Sequence, residues 1–504
     1  MFKIMSAGDA IEHINDGDCI GINSFIGLGN PEALHQAVYN RFIAEGHPKN
    51  LSIFCSAGFG IWDKNRFAEP YIAAGAVKEV VAGHYAGMLE TVRLAAENKI
   101  EAYNLPLGVL SHTVRAAASG KDGYISKVGL NTFVDPRVGT PSLNRISNRK
   151  LVELITIDNT EYLYYKTPKL NVAFIRGTTV DPVGNISFER EYVTVDALSV
   201  AQATKNNGGY VIVEVENVSH VFARPGSVVI PGILVDAVVV NNDRNKNENY
   251  NPALSGDIHV PPTHMDYYMS MLTTSRSKRE RGGDISTEII GKRAAMELRS
   301  GYVVNIGIGI PEKVGKYASE LGVLRDITTT VESGGIGGVP APGVAFGATI
   351  GADMICSMAT QFDFYDGGGL DACFMGGLEV DKDGNVNAHQ LPHSFVGIGG
   401  FANITSATKR IIFCMNFTTK GLIVSEHNDK VVIEQEGSIN KFKNKISAIS
   451  FSAKSALQKG QRVLYVTERC VFELAKDGLR LVEVFNGVDV NKDIIDKLDF
   501  KLAN

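Results

Sequence analysis

An internal repeat runs through this chain of 504 residues, and it limits the folds that the chain can adopt. Residues 170–177 (LNVAFIRG) resemble residues 370–377 (LDACFMGG), at an offset of 200 positions (370 minus 170). The same offset relates residues 180–186 (VDPVGNI) to residues 380–386 (VDKDGNV). A match that continues over two segments at one offset indicates a duplicated structural unit.

A second pair of similar segments lies nearer the start of each half. Residues 26–32 (IGLGNPE) resemble residues 306–312 (IGIGIPE), at an offset of 280 positions (306 minus 26). Because the two offsets differ by 80, the first half carries about 80 more residues between its two motifs. The sequence therefore predicts two copies of one fold, with an insertion in the first copy.

Each copy has the pattern of an α/β unit. Apolar runs at 19–22 and 302–305 precede glycine-rich turns, and Pro31 and Pro311 suit the first turn of the helices that follow. Further apolar runs alternate with amphipathic patterns such as 286–297. We therefore expect two similar open α/β domains, each with a largely parallel sheet covered by helices.

The boundary between the copies falls in a polar segment. Residues 241–249 are rich in asparagine and lack hydrophobic periodicity, so we interpret 241–284 as a linker between domains 1–240 and 285–504. A long surface loop within one domain would look similar, but the repeats lie on either side of this segment.

Composition argues against several classes of function. The net charge is −5 without long charged runs, which disfavours nucleic-acid binding, and no apolar run is long enough for a membrane-spanning helix. The six cysteines are widely spaced, and Pro392 separates His389 from His393, so we expect reduced thiols and no metal site. The start of the chain lacks a signal-peptide pattern, and we expect a cytoplasmic protein.

One carboxylate stands out as a candidate nucleophile. Residues 327–331 are rich in β-branched side chains and predict a strand, and Glu332 follows at once, before a segment of glycines at 334–338. Ligands of open α/β sheets bind beyond the carboxyl ends of the strands, and glycines allow close backbone approach. Taken alone, the pattern favours a solvated glutamate beside a tight glycine turn over a nucleophile.

Longer motifs carry a resemblance to a known family. The matching segments lie at 26–32, 331–340, 361–371, 380–387 and 399–405. With them the chain resembles the family I CoA-transferases, in particular the propionate/acetate CoA-transferase group, whose α-like and β-like halves are here fused. The resemblance implies the CoA-transferase fold, which is similar to that of ribose-5-phosphate isomerase.

The resemblance also implies a reaction. CoA would move from a short-chain acyl-CoA to a carboxylic acid such as acetate or propionate, by ping-pong chemistry through a thioester between Glu332 and CoA. Gly399 and Gly400 would help to stabilise the oxyanion and contact CoA. CoA would be a substrate, with no permanently bound cofactor, and the chain would form a homodimer or homotetramer.

The acyl pocket is where this chain departs from the family pattern. Relatives carry a glutamine that places the acyl oxygen, and Leu107 stands at that position here, followed by Gly108. We expect Leu107, Gly108 and Ser56, together with Gly27 and Gly29, to contribute to the pocket. Because a leucine side chain cannot donate a hydrogen bond, either the backbone places the acyl oxygen or the pocket is altered toward a more apolar acid.

Two other functions fit parts of the same pattern. An acyl-CoA hydrolase would arise if water intercepted the glutamyl intermediate. A non-catalytic sensor of acyl-CoA is disfavoured, because the sequence lacks a helix-turn-helix and retains Glu332.

Overall fold

The structure is a computed structural model that describes residues 2–61, 65–242, 284–341, 345–391 and 394–503. The predicted linker 241–284 lies almost entirely outside the described residues, and so does His393. No helix in the described ranges combines the length and the apolar character that a bilayer-spanning segment requires.

The first half forms a twisted sheet in which most strands are parallel. Its strands are β1 (Lys3–Ile4), β2 (Cys19–Ile22), β3 (Leu51–Cys55), β4 (Val77–Ala82), β5 (Glu101–Asn104), β9 (Val172–Val180), β10 (Ile186–Ser187), β11 (Tyr210–Val218), β12 (Val228–Ile230) and β13 (Ala237–Val240). The order β1-β13-β11-β9-β2-β3-β4-β5 is parallel throughout, and β10 pairs antiparallel with β9 and β12. A small antiparallel sheet lies between β5 and β9 in the chain and contains β6 (Gly123–Ser126), β7 (Val152–Ile157) and β8 (Thr160–Lys166).

The second half forms a sheet with the order β19-β16-β15-β14-β20-β25-β31-β32-β33. Its strands are β14 (Val303–Ile306), β15 (Thr328–Thr330), β16 (Gly335–Ile336), β19 (Met354–Ile355), β20 (Ala372–Gly376), β25 (Arg410–Cys414), β31 (Arg462–Val466), β32 (Cys470–Ala475) and β33 (Gly478–Val484). Smaller sheets of two or three strands contain β17 (Val339–Pro340), β18 (Thr349–Ile350), β21 (Glu379–Asp381), β22 (Val386–Asn387), β23 (Gln390–Leu391), β24 (Ser394–Phe395), β26 (Thr418–Thr419), β27 (Ile423–His427), β28 (Lys430–Gln435), β29 (Ile439–Asn440) and β30 (Phe442–Lys443).

Helices cover the faces of both sheets. Those of the first half are α1 (Ala7–Ile11), α2 (Glu32–Glu45), α3 (Glu69–Ala73), α4 (Leu89–Ala96), α5 (Leu107–Ala118) and α6 (Ala197–Asn206). Those of the second half are α7 (Ile285–Ala295), α8 (Glu312–Glu320), α9 (Met358–Asp366), α10 (Phe401–Ala407) and α11 (Ala453–Gln458). Pro31 and Pro311 lie one residue before α2 and α8, so each caps its helix instead of standing in its first turn.

The predicted repeat is confirmed by the strand order. The parallel series β3-β2-β9-β11-β13 of the first half corresponds to β15-β14-β20-β25-β31 of the second. Even the register is retained, because Val172 pairs with Tyr210 and Ala372 pairs with Arg410, each 200 positions later. The insertion predicted in the first half contains β4, β5, α5 and the small sheet.

The repeat extends to side-chain hydrogen bonds. The Asp181 carboxylate accepts the backbone N–H of Asn185 at 2.9 Å and its side-chain amide at 3.0 Å. Asp381 accepts the corresponding groups of Asn385 at 2.8 and 2.9 Å. Both aspartates are buried, so each one replaces water as the acceptor for a tight turn.

Most of the apolar core lies between the two halves. In β20, Cys373 and Met375 face the largest buried cluster, which both halves share, while Ala372 and Phe374 face a second cluster on the other side of the sheet. Strand β9 alternates in the same way 200 positions earlier. The period of two that characterises a strand thus divides each sheet between an outer core and a common inner core.

We predict that Asp381→Ala lowers the free energy of unfolding by about 2–3 kcal/mol, because the N–H groups of the turn lose a buried ionic acceptor. Thermal melting checks this, with Asp383→Ala as the control because Asp383 is exposed in the same turn. Asp181→Ala should cause a similar loss. Equal melting temperatures for the Asp381 and Asp383 variants would contradict the prediction.

Candidate active site

Glu332 stands just beyond the carboxyl end of β15, in the turn that leads to β16. The turn is closed by hydrogen bonds from Val331 N to Gly335 O at 2.8 Å and from Gly334 N to Val331 O at 3.0 Å. Gly334 has φ +123°, and a Cβ at this position would lie 2.0 Å from the carbonyl oxygen of Cys356. The turn therefore requires glycine, and it presents Glu332 at the edge of the sheet where ligands bind.

A pocket of about 360 Å³ opens in front of Glu332. Much of its lining is apolar and includes Ile306, Ile308, Val331, Met375, Phe401 and Ile404. Among the described lining residues, His84 alone comes from the first half of the chain. The remaining polar lining includes Asn305, Thr330 and Lys441, so the pocket is an apolar chamber with a few placed polar groups, as ligand sites usually are.

The Glu332 carboxylate lies against the backbone of Gly400. A Cβ added to Gly400 would be only 1.9 Å from Oε2 of Glu332, so a residue with a side chain would displace the carboxylate. Burial raises the pKa of Glu332 to about 7, and a hydrogen bond from the Gly400 N–H opposes the rise. The carboxylate is thus poorly solvated and holds a backbone donor at one oxygen.

The segment that carries Gly400 is fastened to the first half of the chain. Gly399 N donates to Gly83 O at 2.8 Å, and Leu107 N donates to Gly399 O at 2.9 Å. Gly399 itself has φ +54°, which side-chain-bearing residues rarely adopt. Both backbone groups of Gly399 are therefore committed to the other half, immediately before the residue that contacts Glu332.

Asn104 adds a side-chain link at the same place. Its Oδ1 accepts the N–H of Ile398 at 2.9 Å, while its Nδ2 donates to Ala82 O at 3.0 Å and to Gly83 O at 2.8 Å. Asn104 is fully buried, so no water can replace these bonds without rearrangement. One amide side chain therefore joins two loops of the first half to the segment before Gly400.

Two residues expected in the acyl pocket lie behind it instead. The Leu107 side chain is 1% exposed and belongs to the core shared by the halves. A Cβ at Gly108 would lie 2.4 Å from the Phe362 ring and 2.7 Å from the side chain of Asn403, so Gly108 allows helix α5 to approach α9 and α10. Neither residue is among those that line the pocket.

The other three expected pocket residues also lie outside its described lining. Ser56 is buried and hydrogen bonds to the carboxylate of Asp196. Gly27 and Gly29 belong to a turn whose Phe25 packs directly on Gly347, in the segment that follows Glu332. These residues support the site from behind, and a direct role in binding the acyl group stays an untested expectation.

His84, Asn104 and Lys441 are site residues that the sequence reasoning missed. His84 follows strand β4 and Asn104 ends strand β5, and the carboxyl ends of strands are where ligands of an α/β sheet bind. Lys441 lies in a region of short strands, where no periodic pattern indicates which side chains face the pocket.

The structure offers no support for a metal at His389. Its Nδ1 hydrogen bonds to Ser450 Oγ at 2.7 Å, and its ring stacks on Phe133 with centroids 3.9 Å apart. Within the described ranges, no group of three or more histidine, cysteine, aspartate or glutamate residues is arranged to hold a metal ion.

The chain is similar in sequence and in structure to known proteins. The family model described as Coenzyme A transferase matches residues 4–241 and 287–492. The chain is 40% identical to acetate CoA-transferase YdiF of Escherichia coli K12, over 99% of this chain and 92% of that protein, and 38% identical to caffeate CoA-transferase of Acetobacterium woodii, over 100% and 95%. It also superposes on the crystal structure of the Escherichia coli O157:H7 acyl-CoA transferase YdiF in its thioester complex with CoA, with a TM-score of 0.90 and 38% identity, over 100% of this chain and 93% of that one.

We predict that Asn104→Ala loosens the segment 396–400, because three buried backbone groups lose their partner at a cost of about 3 kcal/mol. Hydrogen–deuterium exchange of the amides of this segment should become faster, while exchange in β33 stays unchanged. Asn104→Asp keeps the acceptor for Ile398 but sets a carboxylate against two carbonyl oxygens, so it should loosen the loop of Gly83 as well. Unchanged exchange at Ile398 in Asn104→Ala would contradict this account.

Proposed function

This chain belongs to the coenzyme A transferase family, and from that premise we propose that Glu332 carries CoA as a covalent thioester during turnover. CoA is accordingly a substrate of the chain. The observation that carries the proposal is the desolvated Glu332 carboxylate, which faces the pocket with the Gly400 N–H at one of its oxygens. A carboxylate without its hydration shell is a better nucleophile than one in water.

The first half-reaction begins when a Glu332 oxygen attacks the thioester carbonyl of an acyl-CoA. A C–O bond forms and the C–S bond breaks, which yields an acyl-glutamyl anhydride and CoA thiolate. The thiolate then attacks the glutamyl carbonyl, so that a C–S bond forms to Glu332 and the first acid leaves as its carboxylate. A second acid reverses these steps and departs as the new acyl-CoA, which is ping-pong chemistry.

Gly400 acts at the glutamyl carbonyl. When the thiolate attacks, the electron pair of that carbonyl moves onto oxygen, and a backbone N–H already in place stabilises the charge without reorganisation. Because one thioester is exchanged for another, the sequence of bonds needs no nucleotide triphosphate.

The acid substrate that we propose is a monocarboxylate. Acetate and caffeate appear in the names of two relatives, and the apolar lining of the pocket suits an acid without a second charge.

We further propose that the chain forms a homodimer or homotetramer and that it is located in the cytoplasm. Light scattering after gel filtration tests the oligomeric state, and cell fractionation tests the location.

We predict that Glu332→Gln loses at least 10³-fold in transfer activity, since the neutral amide cannot form the anhydride. The assay follows the acetate-dependent formation of acetyl-CoA from propionyl-CoA, and Glu320→Gln serves as the control because Glu320 is exposed on α8. Mass spectrometry of the native protein incubated with acyl-CoA should find CoA attached to the peptide that contains Glu332. Wild-type turnover in Glu332→Gln would refute the assignment.

We predict that kcat/KM for the acyl-CoA, which reacts with the free Glu332 carboxylate, rises with pH to a plateau above about pH 7. Glu332 must be ionised to attack, burial raises its pKa to about 7, and the active fraction therefore falls tenfold per pH unit below that value. Measurements from pH 5.5 to 9 keep the acid substrate ionised, because ordinary carboxylic acids have a pKa of about 4. A profile that is flat down to pH 5.5 would contradict the desolvated state of Glu332.

A further inference from the structure

A second pocket lies in the first half of the chain, between the inner face of the first sheet, helix α5 and strand β8. Its volume is about 440 Å³, within the range of about 300–1,000 Å³ that is usual for small-molecule sites. It shares no lining residue with the pocket in front of Glu332. We call it the β8 pocket, and its lining consists of Cys19, Ser52, Ile53, Phe54, Glu79, Val81, Leu105, Leu110, Thr113, Asp122, Arg149, Leu151, Tyr164, Lys166, Thr167, Pro168 and Lys169.

The sheet gives the β8 pocket one polar row and one apolar row of side chains. Residues two apart on a strand face the same side, so Ser52 and Phe54 of β3 share a face, as do Glu79 and Val81 of β4. The register pairs Ser52 with Glu79 and Phe54 with Val81. At about 3.3 Å per residue, the apolar row lies about 7 Å further along the strands than the polar row. The pocket is therefore polar toward the amino ends of β3 and β4 and apolar toward their carboxyl ends.

Two leucines complete the apolar end. Leu105 follows the carboxyl end of β5, and Leu110 lies in the first turn of α5. Both side chains are 3% exposed, so this end of the pocket offers apolar carbon instead of hydrogen-bond partners. An alkyl chain suits such a surface, because moving methylene groups out of water is favourable.

The polar end carries more cations than carboxylates. The charged residues of the lining are Arg149, Lys166, Lys169, Glu79 and Asp122. Arg149 donates to Glu79 at 2.6 Å, but a guanidinium has five N–H groups. Lys166 pairs with Glu153, outside the lining, at 2.8 Å. Lys169 precedes β9 at the amino-terminal edge of the sheet and forms no ion pair with any residue that the structure describes. This end can therefore hold an anionic head group.

The apolar end adjoins the segment that binds the backbone beside Glu332. Leu105 lies in the chain between Asn104 and Leu107. The Oδ1 atom of Asn104 accepts the N–H of Ile398 at 2.9 Å, and the N–H of Leu107 donates to Gly399 O at 2.9 Å. A molecule packed against Leu105 would restrain this segment and, through these two hydrogen bonds, the chain that leads to Gly400.

We propose that the β8 pocket binds a medium-chain monocarboxylate as an effector, with its carboxylate at Lys169 and Arg149 and its alkyl chain against Phe54 and Leu105. The inference goes beyond the transfer reaction, since none of these residues lines the pocket of Glu332. Both ends of the ligand are needed, because the polar and apolar rows are about 7 Å apart along the strands. Binding holds the segment 104–107 more firmly and so reduces the motion of 398–400.

Isothermal titration with octanoate tests the site, with saturating CoA present to occupy the pocket in front of Glu332. Octanoate should bind at least about tenfold more tightly than 1-octanol, which lacks the charge, and acetate, which lacks the chain, should give no saturable binding. Lys169→Glu should weaken octanoate about fivefold, whereas Asp122→Asn, which removes a competing carboxylate, should strengthen it. Lys476→Glu is the matched control, because Lys476 is an exposed lysine outside the lining.

Ser52→Leu tests the path of the alkyl chain. Ser52 is 9% exposed, and the added carbon atoms would fill the pocket between its two rows, so octanoate should bind about tenfold more weakly. Affinity that is unchanged in both Lys169→Glu and Ser52→Leu, or equal affinity for octanol, would overturn the site. If Ser52→Leu misfolds, Lys169→Glu supplies the same comparison, since Lys169 is exposed.

Hydrogen–deuterium exchange tests the coupling. Saturating octanoate should slow exchange of the amides of Leu107 and Ile398 in the native protein, while exchange in β33 stays the same. In Ser52→Leu the same concentration of octanoate should have a smaller effect on these amides. Unchanged exchange at Leu107 and Ile398 in the octanoate-bound native protein would overturn the role of the pocket as an effector site.

Discussion

The contact between the Glu332 carboxylate and the backbone of Gly400 is the constraint on which the rest of the site depends. The carboxylate lies on the side of Gly400 where a Cβ would stand, and a Cβ here would lie 1.9 Å from Oε2. The same closeness excludes water from one side of Glu332, and burial then raises its pKa to about 7. Because Gly400 has no side chain, the carboxylate can lie against its backbone, accept a hydrogen bond from its N–H and lose part of its hydration.

That contact exists because two halves with similar folds meet at it. Glu332 follows a strand of the second sheet, and Gly400 belongs to a segment of the same half, yet Gly399 beside it is hydrogen bonded at both N–H and C=O to the first half. The shared apolar core, which contains Leu107 and Phe401, holds the halves at a constant distance. Movement of one half against the other would shift Gly400 relative to the carboxylate and weaken the donor.

The sequence predicts the architecture well because the repeat is a property of whole segments. An offset of 200 positions appears again in strand register and in the turns at Asp181 and Asp381. The direction of a side chain depends on tertiary packing, so local sequence patterns did not predict which side chains line the pocket. The resemblance led us to expect Leu107 in the acyl pocket, but its side chain lies in the core, and its backbone N–H donates to the carbonyl of Gly399. His84, on a different loop, lines the pocket.

The insertion in the first half explains why two similar units make one asymmetric site. Gly83, His84, Asn104 and Leu107 all lie in the long segment between β3 and β9, whose strands β4 and β5 are parallel, whereas the shorter segment of the second half places the antiparallel strands β16 and β19 at the same positions of its sheet. More distant parts of the insertion also bind the second half, as Phe133 N donates to Ile449 O at 2.7 Å. The second half thus bears the carboxylate of Glu332 at a strand end, and the long segment of the first half bears the groups that position the backbone at Ile398 and Gly399. In the pocket described here, Glu332 of the second copy lies beside the N–H of Gly400, and hydrogen bonds from this segment of the first half hold the neighbouring Gly399 in place.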